Sequence, residues 1–318
     1  MFKLFIDGRE GTTGLRITER LAGRSDISLL TLPEELRKDS AARAEMLNAA
    51  DVAILCLPDA AAIEAVGMVK NPSTRIIDAS TAHRTAKGWT YGFPELSPEL
   101  RAALPSAMRV AVPGCHASGF IALVRPLVDA GILPSDALLT CHSLTGYSGG
   151  GKKMIAAYEN GERDPLLDAP RQYGISQGHK HLPEMKALTG LSTLPLFSPI
   201  VSDFYSGMEV TVPLHRAQLN AGFGIEDIRR VYAELYSGEI VRYTEESDEG
   251  GFLSAGRLSG LDSMEISVFG CDERILLTAR YDNLGKGASG AAVECLNILL
   301  GVDAKTGLVL ASPTGALK

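Results

Sequence analysis

No run in the 318 residues approaches the roughly twenty consecutive apolar side chains that a membrane helix needs. A basic excess is missing too. Lys and Arg number 31 against 38 Asp and Glu, for a net charge of −7. That excludes a broad nucleic-acid footprint, while leaving room for the few local cations an anionic small molecule requires. The five cysteines, Cys56, Cys115, Cys141, Cys271 and Cys295, are odd in number, widely spread and never arranged as CxxC. A disulfide framework or zinc ribbon is therefore not expected, and a reducing cytosol is. No HExxH stretch, internal repeat or low-complexity tract occurs. The first strand signal has no basic-then-apolar leader before it, so the expected location is cytoplasmic, with neither membrane nor nucleic acid as a partner.

What is present reads as about two globular domains. Short apolar runs at 2–6, 27–32, 52–57, 75–79 and 109–112 alternate with helical patterns at 12–21 and 60–69, and Asp59 is placed to cap the second of these. Continuous apolar strands between helices imply a parallel sheet covered on both faces. The pattern changes after residue 115. A helix over 117–130 precedes longer extended segments at 137–144, 207–214, 264–269 and 275–281, with a helix near 225–236. The fold class expected is α/β. An N-terminal Rossmann-like parallel-sheet domain precedes an α+β domain with a mainly antiparallel sheet. A last helix spans 286–300, and periodicity does not say which domain it joins.

The first βα turn, Asp7-Gly8-Arg9-Glu10-Gly11-Thr12-Thr13-Gly14, spaces its glycines as GxxGxxG after a strand and before a helix. Glycine admits a pyrophosphate close to the backbone, and the helix N-terminus at Thr12 and Thr13 offers N–H donors. A ligand-free tight turn is the bland alternative. After the second strand, where a carboxylate would hold a ribose hydroxyl, Glu34 and Glu35 are present but so are Arg37 and Lys38; the cations lean toward the 2′-phosphate of NADP, and a solvated helix start of mixed charge explains them as well.

Val112-Pro113-Gly114-Cys115 runs from a strand into a helix whose N-terminus would lower the thiol pKa of Cys115, making it the candidate nucleophile. The other cysteines lie in apolar or strand-edge contexts and read as slow to react. In His179-Lys180-His181-Leu182-Pro183-Glu184, an extended backbone would turn both histidines the same way. They suit a general base, a metal, or nothing but a surface. Ser143 to Lys153 contains Ser148, Gly149 and Lys152 in a Gly-rich loop before a helix, able to line a cofactor cleft or simply flex. Asp282-Asn283-Leu284-Gly285-Lys286-Gly287-Ala288 joins a strand to a small-residue helix, and Asn283 could bond a carboxamide or merely make the turn.

Together these segments resemble the N-acetyl-γ-glutamyl-phosphate reductases of arginine biosynthesis, in their shorter variant. Pro113-Gly114-Cys115, the His-x-His-x-Pro-Glu stretch at 179–184, Asp282 to Ala288, Asp78-Ala79-Ser80-Thr81-Ala82-His83-Arg84 and Phe93-Pro94-Glu95-Leu96 occur in the family's order. The aspartate-semialdehyde dehydrogenases share the plan and are the runner-up. The resemblance implies an NADPH-dependent reductive dephosphorylation through a thioester on Cys115, with His181 as acid/base. His179 and Glu184 would orient groups or contact substrate, and Arg84 and Lys152 would contact anions. It places Gly8, Gly11 and Gly14 by the pyrophosphate and Asn283 by the nicotinamide. It also implies domains at 1–114 and 115–284, the first completed by 285–318, and a homo-oligomer, dimer or tetramer. No metal is implied. The sequence departs from longer family members at Cys115-His116-Ala117, where they carry Cys-Tyr-Pro, and in its Gly-Gly-Gly-Lys-Lys loop. A Cys–His hydrolase would have no use for the glycine turn, and a non-catalytic nucleotide sensor no use for Cys115.

Overall fold

The computed structural model describes residues 1–312. The chain divides into two compact units. One comprises Met1–Gly114 with Ala288–Leu308, the other Cys115–Gly287 with the described residues from Val309 on.

The first unit is built on a six-stranded parallel sheet in the order β2-β1-β3-β4-β6-β5. Its strands are β1 (Phe2–Asp7), β2 (Ile27–Leu30), β3 (Val52–Leu55), β4 (Arg75–Asp78), β5 (Thr90–Tyr91) and β6 (Arg109–Ala111). Helices α1 (Thr12–Arg20), α2 (Ser40–Ala49), α3 (Asp59–Met68) and α4 (Pro98–Ala103) connect them. The central positions of these strands are mostly apolar because both faces are covered, with charged residues such as Lys3, Asp7, Arg75, Asp78 and Arg109 toward the strand ends. Leu4, Ile6, Val52 and Ile54 pack with Ile17 and Leu21, and with Val293 and Leu296 from a C-terminal helix. Phe5, Ala53, Leu55 and Ile76 face the other way, onto Leu47, Ala62 and Ala65. Strand order reverses at β1, which pairs with β2 on one side and β3 on the other. In such sheets the crevice outside the strand ends at this reversal is where ligands bind.

Two local expectations change. Asp59 does not cap α3; it is the helix's first residue, after Pro58. Its carboxylate instead accepts the Thr81 N–H at 2.9 Å. Helix α2 starts beyond Arg37 and Lys38, at Ser40, and is capped by Asp39, which accepts from the Ala42 N–H at 2.8 Å.

The second unit contains a seven-stranded mixed, mostly antiparallel sheet in the order β11-β12-β13-β10-β7-β9-β8. The strands are β7 (Thr140–Gly146), β8 (Arg171–Gln172), β9 (Leu196–Ser202), β10 (Met208–His215), β11 (Val241–Tyr243), β12 (Met264–Cys271) and β13 (Arg274–Tyr281). Its helices are α5 (Cys115–Asp129), α6 (Gly151–Glu159), α7 (Leu182–Thr189) and α8 (Ile225–Leu235). Strand β9 escapes a propensity reading because Pro199 sits inside it; it neighbours only the two-residue β8 on its outer side, a place where proline is tolerated.

Helix α5 is buried along most of its length and carries Pro126 in its interior. Proline has no N–H, so the carbonyl of Ala122 loses its usual helical donor. The Tyr236 hydroxyl replaces it at 2.7 Å, and Tyr232 of α8 donates likewise to the Leu123 carbonyl. After β13 a π-helical turn, Gly285–Ser289, leads into α9 (Gly290–Leu300), the C-terminal helix of the first unit's core. That unit's share of the C-terminal segment is thus narrower than 285–318. The Val309 N–H donates to Asp262 at 2.9 Å, within the second unit, and residues 313–318 lie outside the described residues. No helix among the described residues is long and apolar enough to cross a membrane.

Candidate active site

The first unit's crevice is a cavity of about 880 Å³ lined by Asp7, Gly8, Arg9, Glu10 and Gly11, by Thr31 and Leu32 after β2, by Arg37, Lys38 and Arg43, and by Cys56, Leu57 and Pro58 after β3. Gly8 has φ +84°, and a Cβ there would lie 2.3 Å from the Cys56 carbonyl oxygen, so no other residue fits the turn. Gly11 caps α1 with no side-chain bond, leaving the N-terminus at Thr12, Thr13 and Gly14 without a side-chain cap. A helix N-terminus of this kind favours an anion. Size, glycine cradle and uncapped N-terminus fit a dinucleotide. Arg37 pairs with Glu10 at 3.2 Å. Arg43 of α2 is a cavity cation that the sequence pattern did not single out. It grips Asp7 through Nη2 at 2.9 Å, yet burial still raises the Asp7 pKa, Arg43 opposing.

In the second unit Cys115 is half-buried and is the first residue of α5. The Tyr281 hydroxyl accepts the Gly119 N–H at 3.0 Å and donates to the Cys115 carbonyl at 2.5 Å. It thereby bridges the helix's first turn. Burial lifts the Tyr281 pKa well above the ordinary phenol, and the charges of Cys115 and Glu184 add to the rise.

Three histidines converge on this end of α5. The ring of His116 lies 5.8 Å from that of His179 and 5.7 Å from that of His181, and the latter two are 4.7 Å apart at 82°. The segment is a turn, not the extended strand expected. His181 has φ −83° and ψ −14° and is the N-cap of α7. Its N–H donates to His179 Nδ1 at 3.2 Å. Pro183 occupies the first turn of α7, and Glu184 beside it is 2% exposed. No group of three or more His, Cys, Asp or Glu among the described residues is placed to hold a metal ion.

Residues 11–103 match the family model described as "Semialdehyde dehydrogenase, NAD binding domain" and residues 115–283 the one described as "Semialdehyde dehydrogenase, dimerisation domain". The N-acetyl-gamma-glutamyl-phosphate reductase of Chelativorans sp. is 49% identical over 308 residues, covering 94% of this chain and 98% of the relative. N-acetyl-gamma-glutamyl-phosphate reductase 2 of Nostoc sp. is 47% identical over 318 residues, with 96% and 99% covered. The chain belongs to the N-acetyl-gamma-glutamyl-phosphate reductase family. Aspartate semialdehyde dehydrogenase II from Vibrio cholerae has the same fold, with a TM-score of 0.72 at 17% identity over 95% of this chain and 99% of that one.

Asn283 and Arg84, singled out by the reductase resemblance, both hold partners within the fold. Asn283, expected to face a carboxamide, is 1% exposed. Its oxygen accepts the Gly207 N–H and its Nδ2 donates to Ser148 Oγ, each at 2.9 Å, so it braces the Ser148-Gly149 loop. Its neighbour Asp282 accepts the Leu284 N–H at 2.7 Å and the Ser206 hydroxyl at 2.9 Å. Arg84, expected to meet an anion, is 9% exposed. It spends Nε on the Val112 carbonyl at 3.0 Å and Nη2 on the Ala79 carbonyl at 3.3 Å. Lys152 is exposed on α6. Burial pushes the Cys56 thiol up to about 12 and raises that of Cys141 as well. Cys271 breaks the expected pattern of unreactive thiols: it is exposed, and the N–H groups of Arg274 and Glu273 lower its pKa.

Sequence reasoning passed over His116 and Tyr173. The His116 ring bonds Ser143 Oγ through Nδ1 and the Tyr173 hydroxyl through Nε2, both at 2.6 Å. Burial pulls its pKa down to about 3, helped by His179.

Proposed function

We propose that this chain reduces N-acetyl-L-glutamyl 5-phosphate to N-acetyl-L-glutamate 5-semialdehyde, with release of inorganic phosphate, through a thioester on Cys115. The observation that carries the reading is Cys115 as the first residue of α5, with His179 and His181 packed on the ring of the residue after it. Family membership supports the substrate. A Cys–His hydrolase or a bare nucleotide sensor accounts for only one of the two sites.

The helix N-terminus stabilises the Cys115 thiolate, which attacks the acyl carbon. The C–S bond forms, the acyl C–O bond to phosphate breaks, and phosphate departs with that electron pair. NADPH, when bound, would supply the hydride that reduces the thioester, leaving a hemithioacetal on Cys115. His181 lends a proton to the hemithioacetal oxygen and takes it back as the C–S bond breaks, so the aldehyde leaves and the thiolate is restored. His179 and Glu184 orient His181, and Lys152 meets a substrate anion. In the crevice, Gly8, Gly11 and Gly14 let the turn close against its own backbone, so that the N–H groups at Thr12 and Thr13 are offered to the pyrophosphate, and Arg37 and Lys38 take the 2′-phosphate of NADP. The Ser148-Gly149 loop, braced by Asn283, lines the reacting centre. The dimerisation-domain match supports a homo-oligomer, dimer or tetramer, and the reaction belongs in the cytoplasm.

The test is acylation without reductant. Incubation with acyl phosphate alone should add one N-acetylglutamyl mass to the peptide containing Cys115 and release phosphate, while Cys115→Ala should do neither. An active Cys115→Ala enzyme, or an adduct confined to the exposed Cys271, overturns the mechanism. In the reverse assay with NADP and phosphate, a faster rate with aspartate semialdehyde than with N-acetyl-glutamate semialdehyde overturns the substrate.

A further inference from the structure

His116 is 2% exposed and both of its ring nitrogens are engaged at 2.6 Å, with Ser143 of β7 on one side and Tyr173 on the other. A neutral imidazole carries one N–H, so one hydroxyl donates to the ring and the other accepts from it. The three groups therefore form a single hydrogen-bonded line in which both ring nitrogens of His116 are occupied. Phe197 packs edge-on against His116 at 5.4 Å and against His179 at 5.2 Å, closing the apolar side.

Tyr173 opens the loop that ends at His179 and His181. The loop is pinned where it begins: the Tyr173 N–H donates to the Pro199 carbonyl at 3.0 Å. Midway, the Gln177 side chain donates to the Phe197 carbonyl at 2.8 Å and accepts the Phe197 N–H at 2.9 Å. Gln177 is held at φ +57°, the one non-glycine residue in that region among the described residues. Beyond Gln177 the two histidines rest against the His116 ring, His179 edge-on at 86°. The His181 N–H donating to His179 Nδ1 makes that nitrogen an acceptor, so neutral His179 carries its proton on Nε2.

We propose that His116 is a positioning residue for the thioester reaction: tied to Ser143 and Tyr173, it fixes the rings of His179 and His181 beside the nucleophile and exchanges no proton with substrate itself. The proposal rests on the roles given above to Cys115 and His181. Its neutrality suits the task, because a charge on His116 would repel a proton on either neighbour. The ionisable groups around the line are Cys115, Tyr173, His179, His181, Glu184 and Tyr281.

The test uses the full-length enzyme and three variants: His116→Phe, His116→Gln and Tyr173→Phe. Tyr173→Phe removes one oxygen and keeps the ring, so it isolates the hydrogen bond from packing. The expected result for Tyr173→Phe and His116→Phe is a fall in kcat of about ten- to a hundredfold, the scale of a misplaced catalytic group. KM for the acyl phosphate should stay within about threefold, as for a loss confined to the transition state, and the acidic limb of the kcat–pH profile should move. His116→Gln, which can still donate and accept, should recover most of kcat. The thermal midpoint and an NADPH titration report whether each variant is folded. Unchanged kcat and pH profile in folded Tyr173→Phe overturns the proposal, as does a fall in kcat tracking only the thermal midpoint with no movement of the pH profile. An active Cys115→Ala enzyme instead defeats the underlying mechanism, so the two failures are distinguishable.

Discussion

Replacing Gly119 by alanine puts a single methyl group into the hydrogen bond that Tyr281 makes across the first turn of α5. An added Cβ would lie 2.7 Å from the Tyr281 hydroxyl, 2.7 Å from Val210 Cγ2 and 2.9 Å from Tyr281 Cε1. All three are buried neighbours, so the contact cannot be relieved by turning a side chain into solvent. Overpacking of this kind costs about 1–3 kcal/mol, and losing the hydroxyl's two bonds costs about 1 kcal/mol each. Against this stand a helix-propensity gain of about 1 kcal/mol for alanine over glycine, and direct pairing of the freed Gly119 N–H with the Cys115 carbonyl, which restores one bond. The net expectation is about 1–3 kcal/mol of destabilisation. At 2–4 °C per kcal/mol for a unit of this size, the midpoint should fall by roughly 2–12 °C. Circular dichroism melts measure it, with phosphate release from the acyl phosphate as the companion assay, since Cys115 moves with its carbonyl. Tyr281→Phe, which gives up only the hydroxyl, should cost less. Adding it to Gly119→Ala should cost less than the sum of the two changes, because both break the same bridge. A Gly119→Ala protein as stable and as active as the parent refutes the reasoning.

NADPH should be preferred to NADH, and Arg37→Ala should narrow the gap in kcat/KM by about tenfold, the worth of one charge-assisted hydrogen bond; equal efficiency with both cofactors in the unaltered protein refutes the assignment of Arg37 and Lys38. Acid should act on His116, whose folded pKa of about 3 lies below the ordinary imidazole value. The contribution of its neutral state to stability is complete above about pH 6.5 and declines as pH falls toward 3, by up to about 1.4 kcal/mol per pH unit. Denaturant titrations of His116→Phe between pH 6 and 4 should show a shallower loss than the parent, and an identical slope excludes His116 as a source.

The parts that read directly from sequence are those whose signal is local. The apolar runs that became β1, β3 and β4 needed only burial on both faces, and Pro113-Gly114 before Cys115 marked a strand-to-helix turn whatever surrounded it. The missing parts depend on partners far along the chain. His116 stood out in the sequence only as a departure from the longer family members; its partners become visible only when Ser143 and Tyr173, 27 and 57 residues away, are brought against it. Arg84 and Asn283 carried the right chemistry for ligand contacts. Their partners within the fold, the carbonyls of Ala79 and Val112 for one and Gly207 and Ser148 for the other, were not legible, because they lie on other segments of the chain. The histidine pair was legible as a pair, but its turn was not, because the backbone is shaped by the Gln177–Phe197 bonds and by the start of α7.

Pro126 has a mechanical consequence for the other end of its helix. The carbonyls of Ala122 and Leu123 sit about 100° apart around the axis of α5, and each is held by a tyrosine of one short segment, Tyr236 and Tyr232. Two anchors at different azimuths leave a rod free neither to spin nor to slide. Cys115 lies seven residues, about 10 Å, from the first anchor along the same rod. The break in hydrogen bonding that proline imposes is thereby turned into a bearing: its two fixed points set the rotational phase at which the helix presents its thiol.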